Sequence, residues 1–77
     1  MKLSNLAIGE KAIIQGIERG CPAEVHQRFL DLGFVPGANI HVHNISPLKD
    51  PVAYSIYNTI ISLRREDAER VLVTLAN

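Results

Sequence analysis

The cysteine and histidine side chains that could act as nucleophile, base or metal ligand are Cys21, His26, His41 and His43. An enzyme needs a nucleophile, a base and an orienting group that converge on one pocket. Cys21 and His26 are five positions apart across the expected start of a helix, whereas side chains on one helical face are three or four apart. Unpaired cysteines mostly behave as small hydrophobic residues. The pattern therefore favours a binding protein over an enzyme.

His41 and His43 are two positions apart in a stretch that reads as a strand. Residues with this spacing point to the same face of a strand, so both imidazoles could bind one divalent ion such as ferrous iron or zinc. A closed site requires three or four ligands, and this spacing supplies two. Weak metal binding, completed by a second chain, is one hypothesis, and a pair of solvent-facing histidines is the other. No cofactor is required by either.

Arg64 and Arg65 precede Glu66 and Asp67 and allow two interpretations. An arginine offered to a GTPase can stabilise charge on a transferring phosphoryl group. A solvated turn with local ion pairs, each contributing at most about 1 kcal/mol, is the alternative. Because no feature of the sequence distinguishes these arginines from the others, the solvated turn is favoured.

The residues between these candidates predict a mostly β fold. Residues 11–17 form the first strand, with a bulge expected at Gly16. Residues 22–32 form a helix, because Val25, Phe29 and Leu32 recur on one face and Gly33 follows at the position of a C-terminal cap.

Four more strands and a short helical turn are expected after that helix. Residues 39–45 form a strand with Ile40 and Val42 on one face and His41, His43 and Ile45 on the other. Residues 52–57 and 60–63 form a hairpin joined at Asn58-Thr59, residues 65–70 form one helical turn, and residues 71–75 form the last strand. Five short strands with such short connections favour a small, partly open barrel.

Composition sets limits on function. The 77 residues suffice for one domain, 1–77, and the eight basic and eight acidic residues cancel, which disfavours nucleic acid as a partner. Tyr54 and Tyr57 point to opposite faces of their strand, so they offer no joint stacking platform for bases. A single cysteine indicates a reducing, cytoplasmic setting, and no apolar run is long enough for direct insertion into a membrane.

The segment 47–51 places Leu48 between two prolines, where the stiff backbone has little entropy left to lose on binding. Phe34 and Val35 follow the helix, and Leu30 lies off its apolar stripe. These side chains predict an apolar groove between helix and loop. The alternative is that Phe34 and Leu48 close the end of the barrel.

Four segments together carry a resemblance to a known family: Cys-Pro-Ala at 21–23, Leu-Asp-Leu-Gly-Phe-Val-Pro-Gly at 30–37, Ser-Pro-Leu-Lys-Asp-Pro at 46–51, and Ile-Ser-Leu-Arg-Arg-Glu-Asp-Ala at 61–68. In order and spacing the chain resembles FeoA, the small cytosolic partner of the bacterial ferrous iron transporter. The resemblance implies an SH3-like β-barrel with one helix inserted after the first strand. The same barrel forms the C-terminal domain of some iron-dependent repressors. A metal-binding regulatory module is therefore the alternative function.

The resemblance further implies a non-catalytic accessory role in ferrous iron uptake, by surface contact with the permease FeoB near its cytosolic GTPase domain. The protein would be cytoplasmic and recruited to the inner face of the membrane by this partner. Exposed edge strands would also permit a homo-oligomer. The residues proposed for contact are Leu30, Phe34, Val35, Leu48 and Pro51, with Arg64 and Arg65 at the rim.

Overall fold

Five strands and two helices make up most of the structure, a computed structural model that describes residues 1–76. A 3₁₀ turn at Leu3–Asn5 precedes them, and the elements that follow are β1 (Lys11–Ile17), α1 (Ala23–Asp31), β2 (Asn39–Ile45), β3 (Val52–Ile56), β4 (Thr59–Leu63), α2 (Arg65–Ala68) and β5 (Val71–Leu75). The predicted class, a mostly β fold with one helix after the first strand and a helical turn before the last, is confirmed.

The strands form one antiparallel sheet in the order β4-β3-β2-β1-β5. The N-terminus covers the outer edge of β5, since Lys2 pairs with Leu72 and the Val73 amide donates to the Met1 carbonyl at 2.8 Å. Among residues 1–76, no strand covers the outer edge of β4. Within residues 1–76 the two edges of the sheet therefore differ, because β5 has a partner at Leu72 and β4 has none, which leaves the β4 edge open to pairing.

The core is aliphatic with three aromatic side chains. Phe29 of α1 and Phe34 are fully buried and lie with ring centroids 5.6 Å apart and planes inclined by 48°. Tyr54 of β3 is the third buried ring. The aliphatic side chains around them with 2% exposure or less include Leu3, Ile14, Ile40, Ile56, Val71 and Val73.

The end of α1 explains why Phe34, and not Leu32, joins this core. Gly33 has a φ of 95°, the Gly33 amide donates to the Leu30 carbonyl, and the Phe34 amide donates to the Phe29 carbonyl at 3.0 Å. This is a Schellman cap, in which the residue after the glycine makes an apolar contact with the last turn of the helix. The expectation that Leu32 shares the buried face of Val25 and Phe29 was wrong, because the helix ends at Asp31 and 38% of Leu32 is exposed.

A β-bulge in β2 corrects a second expectation. The register with β3 shifts between Val42 and Asn44, so Ile45 lies opposite Val52 and packs against the core. Strict alternation had placed Ile45 on the face of His41, which was wrong, because an inserted residue reverses the facing of every residue after it. The bulge expected in β1 near Gly16 is confirmed.

The hairpin connection lies one residue earlier than predicted. Ile56 pairs with Thr59, and the two connecting residues are Tyr57 and Asn58, with φ of 50° and 60°. Positive φ at both central positions is the requirement of a type I′ turn, the connection that matches the twist of the flanking strands.

Candidate functional site

The most exposed large apolar side chain among residues 1–76 is Leu48, with 88% of its surface accessible. It lies in the loop between β2 and β3, beside the turn from β4 into α2. We call this region, the loop 46–51 with Arg64 and Arg65, the Leu48 corner. A leucine exposed to this degree contributes little to the core, so its loop presents it to solvent.

Three hydrogen bonds hold the loop of the Leu48 corner. Within it, the Lys49 amide donates to the Ser46 carbonyl at 2.7 Å, and the Ser46 amide donates to the Pro51 carbonyl at 3.4 Å. Across to α2, the Arg65 amide donates to Asp50 Oδ1 at 2.9 Å. Asp50 thereby satisfies an amide of the first turn of α2, where an acidic group is also favoured by the helix dipole. Leu48 is thus carried on a loop that is anchored at both of its ends.

Arg65 is engaged within the fold. Its Nη1 donates to the Ser4 carbonyl at 3.3 Å, which connects α2 to the N-terminal 3₁₀ turn. Burial raises the pKa of the Tyr54 hydroxyl, and the nearby positive charge of Arg65 lowers that pKa in part. Arg64, whose side chain is exposed, precedes the first residue of α2. At the rim of the Leu48 corner, Arg64 is therefore the arginine with the freer side chain.

The predicted groove is divided by the structure into two places. Leu48 and Pro51 lie at the start of β3, whereas Leu30 and Val35 flank Gly33, which contacts Tyr57 just past the end of that strand. A strand of five residues separates these positions by roughly 13 Å. Phe34 was wrongly included in the groove, because it is fully buried against Phe29 and offers no surface to a partner.

The second apolar surface is formed by Tyr57, which sequence reasoning did not select. Its ring lies 3.0 Å from the position that a Cβ on Gly33 would occupy, so the ring covers the end of α1. Tyr57 is still 65% exposed, and Leu32, which precedes Gly33 in the chain, is 38% exposed. The signal available in the sequence was Asn58, which tolerates positive φ and marks Tyr57 as a turn residue.

The predicted metal ligands lie on β2. His41 is half-buried, and His43 is exposed at the bulge, where the alternation used to place both on one face is interrupted. Within residues 1–76, no three side chains of His, Cys, Asp or Glu are grouped so that they could hold a metal ion. Metal binding by the two histidines stays a prediction. Cys21 is a half-buried free thiol.

No helix of the described chain is both long enough and apolar enough to cross a membrane.

Comparison with known proteins adds three relatives. A fusion of Fe(2+) transport protein A with Fe(2+) transporter FeoB from Porphyromonas gingivalis is 45% identical over 76 residues, which is 97% of this chain and 9% of the fusion. The solution structure of iron(II) transport protein A from Clostridium thermocellum matches 97% of this chain and 45% of its own, with a TM-score of 0.89 and 37% identity. The crystal structure of Stenotrophomonas maltophilia FeoA with zinc, described as a procaryotic SH3 domain protein, has a TM-score of 0.84 and 26% identity over 96% of this chain and 89% of its own.

These matches confirm the SH3-like fold expected from the sequence. The sequence model of the FeoA domain matches residues 1–75, nearly the whole chain. The chain therefore belongs to the FeoA domain family.

Proposed function

We propose that this chain is an accessory protein of ferrous iron uptake that binds a FeoB-like permease by surface contact and catalyses no reaction itself. The observation that carries the proposal is the 88% exposure of Leu48 on a loop anchored to α2 by the bond from the Arg65 amide to Asp50. A loop already held in one conformation loses less entropy when it binds.

The identity of the partner rests on the relative from Porphyromonas gingivalis, in which Fe(2+) transport protein A and FeoB are parts of one protein. Joining two domains in one chain gives each a high effective concentration near the other, which benefits domains that act in contact. The permease segment we propose is its cytosolic GTPase domain. On this proposal the chain is cytoplasmic and its partner brings it to the inner face of the membrane.

The contact surface we propose is the Leu48 corner, with Leu48 as the apolar anchor, Pro51 beside it and Arg64 at its rim. An exposed apolar side chain surrounded by polar groups is the usual arrangement of an energetically important contact. Leu30 and Val35, at the other end of β3, belong to a different surface and are not required for this contact.

An NMR titration of the isotopically labelled chain with the separate GTPase domain of the permease tests the proposal. We expect the largest shifts in the loop 46–51 and at Arg64, with small shifts near Leu75 at the far end of β5. Shifts confined to the Tyr57 turn would place the contact at the other end of β3, and their absence at high concentration would contradict docking on the GTPase domain.

A further inference from the structure

A cavity on the outer face of the sheet has a lining that the docking proposal does not use. Its volume is about 580 Å³, and it opens beside the start of β1, the start of β2 and the end of β3, near the Tyr57 turn. That volume is in the range of small-molecule sites in proteins. Six of its lining residues carry hydrogen-bond donors: Lys11, Asn39, His41, Ser55, Tyr57 and Asn58.

Three of the donors form a row across the sheet. Lys11 lies directly opposite His41, and His41 lies directly opposite Ser55. All three point away from the core, because their strand neighbours Ala12 and Ile40 are buried. Directly opposed residues have Cβ atoms roughly 5 Å apart, so an ammonium group, an imidazole and a hydroxyl can reach one ligand together.

The donor groups of these side chains have no hydrogen-bond acceptor within the described chain. None of the six side chains forms a hydrogen bond within residues 1–76, and none of the described lining residues is acidic. The neighbouring carboxylate of Glu10 is already engaged, since it accepts a hydrogen bond from the Ala7 amide at 2.7 Å. Within residues 1–76, the cavity therefore has the positive charge of Lys11 and several donors, and no acidic side chain lines it.

We infer that this cavity binds a small phosphate compound, with Lys11 as its charged contact and His41 and Ser55 as further hydrogen-bond donors. A phosphate group presents three acceptor oxygens and close to two negative charges at neutral pH, whereas a carboxylate presents two oxygens and one charge. A lining with this many donors matches the phosphate better. Tyr57, packed on Gly33, supplies a fixed ring beside it on which an apolar part of the ligand can lie.

The test is an NMR titration of the labelled chain with inorganic phosphate and with phenyl phosphate, at constant ionic strength maintained with sodium chloride. We expect saturable shifts of the His41 ring and of the Lys11 and Ser55 amides. Lys11→Gln and His41→Gln should each weaken binding roughly tenfold, the effect of one charge-assisted hydrogen bond. Lys2→Gln is the matched control, because this exposed lysine lies beside β5 and outside the cavity, and it should bind as the unmodified chain does.

Three results would overturn the inference. The first is that sodium chloride alone reproduces the shifts, and the second is that Lys11→Gln and Lys2→Gln weaken phosphate binding equally. The third is tighter binding of acetate or of a glutamate-rich peptide than of phosphate, which would assign the cavity to acidic side chains of a protein partner. Because Lys11 is exposed and its replacement removes no core contact, loss of folding does not obscure the comparison.

Discussion

The Arg65 amide donates a hydrogen bond to Asp50 Oδ1 at 2.9 Å, joining residues 15 positions apart in the chain. This bond connects the loop that carries Leu48 to the first turn of α2. Since Arg65 also reaches the Ser4 carbonyl, the loop, α2 and the N-terminal turn are linked in series. The hydrogen-bonded attachment of the proposed docking loop to α2 consequently depends on one carboxylate.

Asp50→Ala should lower the free energy of unfolding by about 1 kcal/mol, as the loss of a capping side chain does. In a domain of this size that corresponds to a fall in Tm of roughly 4–8 °C, measurable by thermal unfolding. Asp50→Asn keeps an acceptor oxygen and should retain most of the stability. Asp31→Ala is the control, because within residues 1–76 the Asp31 carboxylate accepts a hydrogen bond only from the exposed side chain of Gln27. Equal stability of Asp50→Ala and the unmodified chain would contradict the capping role.

Tyr54 should make the stability of the fold fall at alkaline pH. Burial raises the pKa of its hydroxyl above the ordinary value of 10.0. A group whose pKa is higher in the folded chain stabilises the fold below its ordinary pKa, and that contribution is lost as pH rises through the folded-state value. We expect the free energy of unfolding to decrease above pH 10.0.

A pH titration of the Tyr54 hydroxyl can separate the effect of the Arg65 charge on its pKa from the effect of burial. In the Tyr57→Phe background Tyr54 is the single tyrosine, so tyrosinate absorbance reports its ionisation alone. Arg65→Gln removes the positive charge that lowers the pKa of Tyr54 and should move the titration to higher pH. Arg64→Gln, the neighbouring exposed arginine, should leave it in place. An unchanged titration in Arg65→Gln would show that the charge is not close to the hydroxyl.

Gly33 and Gly37 form a matched pair for the packing of Tyr57. Both have positive φ, 95° and 91°, so an alanine at either should cost about 1–2 kcal/mol of stability. Only at Gly33 would the new Cβ meet another side chain, the Tyr57 ring at 3.0 Å. Gly33→Ala should therefore shift the Tyr57 ring resonances in an NMR spectrum, and Gly37→Ala should not. Identical spectra of the Tyr57 ring in both variants would contradict the contact.

Phe34 and Leu48, both assigned to one groove from the sequence, should respond oppositely to truncation. Phe34→Ala removes a buried ring and should cost about 3–5 kcal/mol, enough to unfold much of the population. Leu48→Ala should change stability by less than about 0.5 kcal/mol, as surface replacements do. Chemical denaturation of both variants distinguishes them, and a folded Phe34→Ala with unchanged midpoint would disprove the placement of Phe34 in the core.

Local patterns in the sequence were sufficient for the order of the elements. The apolar repeat of α1 and the alternation of β3 each give the correct face for residues such as Phe29 and Tyr54, because neighbours along the chain determine them. The errors arose where one residue changes the register. Because Tyr57 adopts a positive φ, the hairpin turn lies one residue earlier than predicted. Because of the bulge after Val42, the side chain of Ile45 faces the core and not the solvent.

The site was less predictable because it depends on contacts between distant segments. Exposure of Leu48 was one of two alternatives for a leucine between prolines, and its loop packs against α2 through the bond to Asp50, which no local pattern indicates. The Schellman cap that buries Phe34 was within reach of the sequence, since Gly33 was recognised as a cap and the residue after such a glycine packs on the helix.

The most direct test of the account is the affinity of the chain for the GTPase domain of a FeoB-like permease, measured by calorimetry for Leu48→Asp and Leu75→Asp. Both leucines are exposed, and Leu75 lies on β5, three strands away from β3 and at the end of β5 remote from α2. A charge at the centre of an apolar contact should weaken binding at least roughly tenfold. The account predicts this loss for Leu48→Asp alone, with both variants folded. Undiminished binding by Leu48→Asp, or an equal loss in Leu75→Asp, would contradict it.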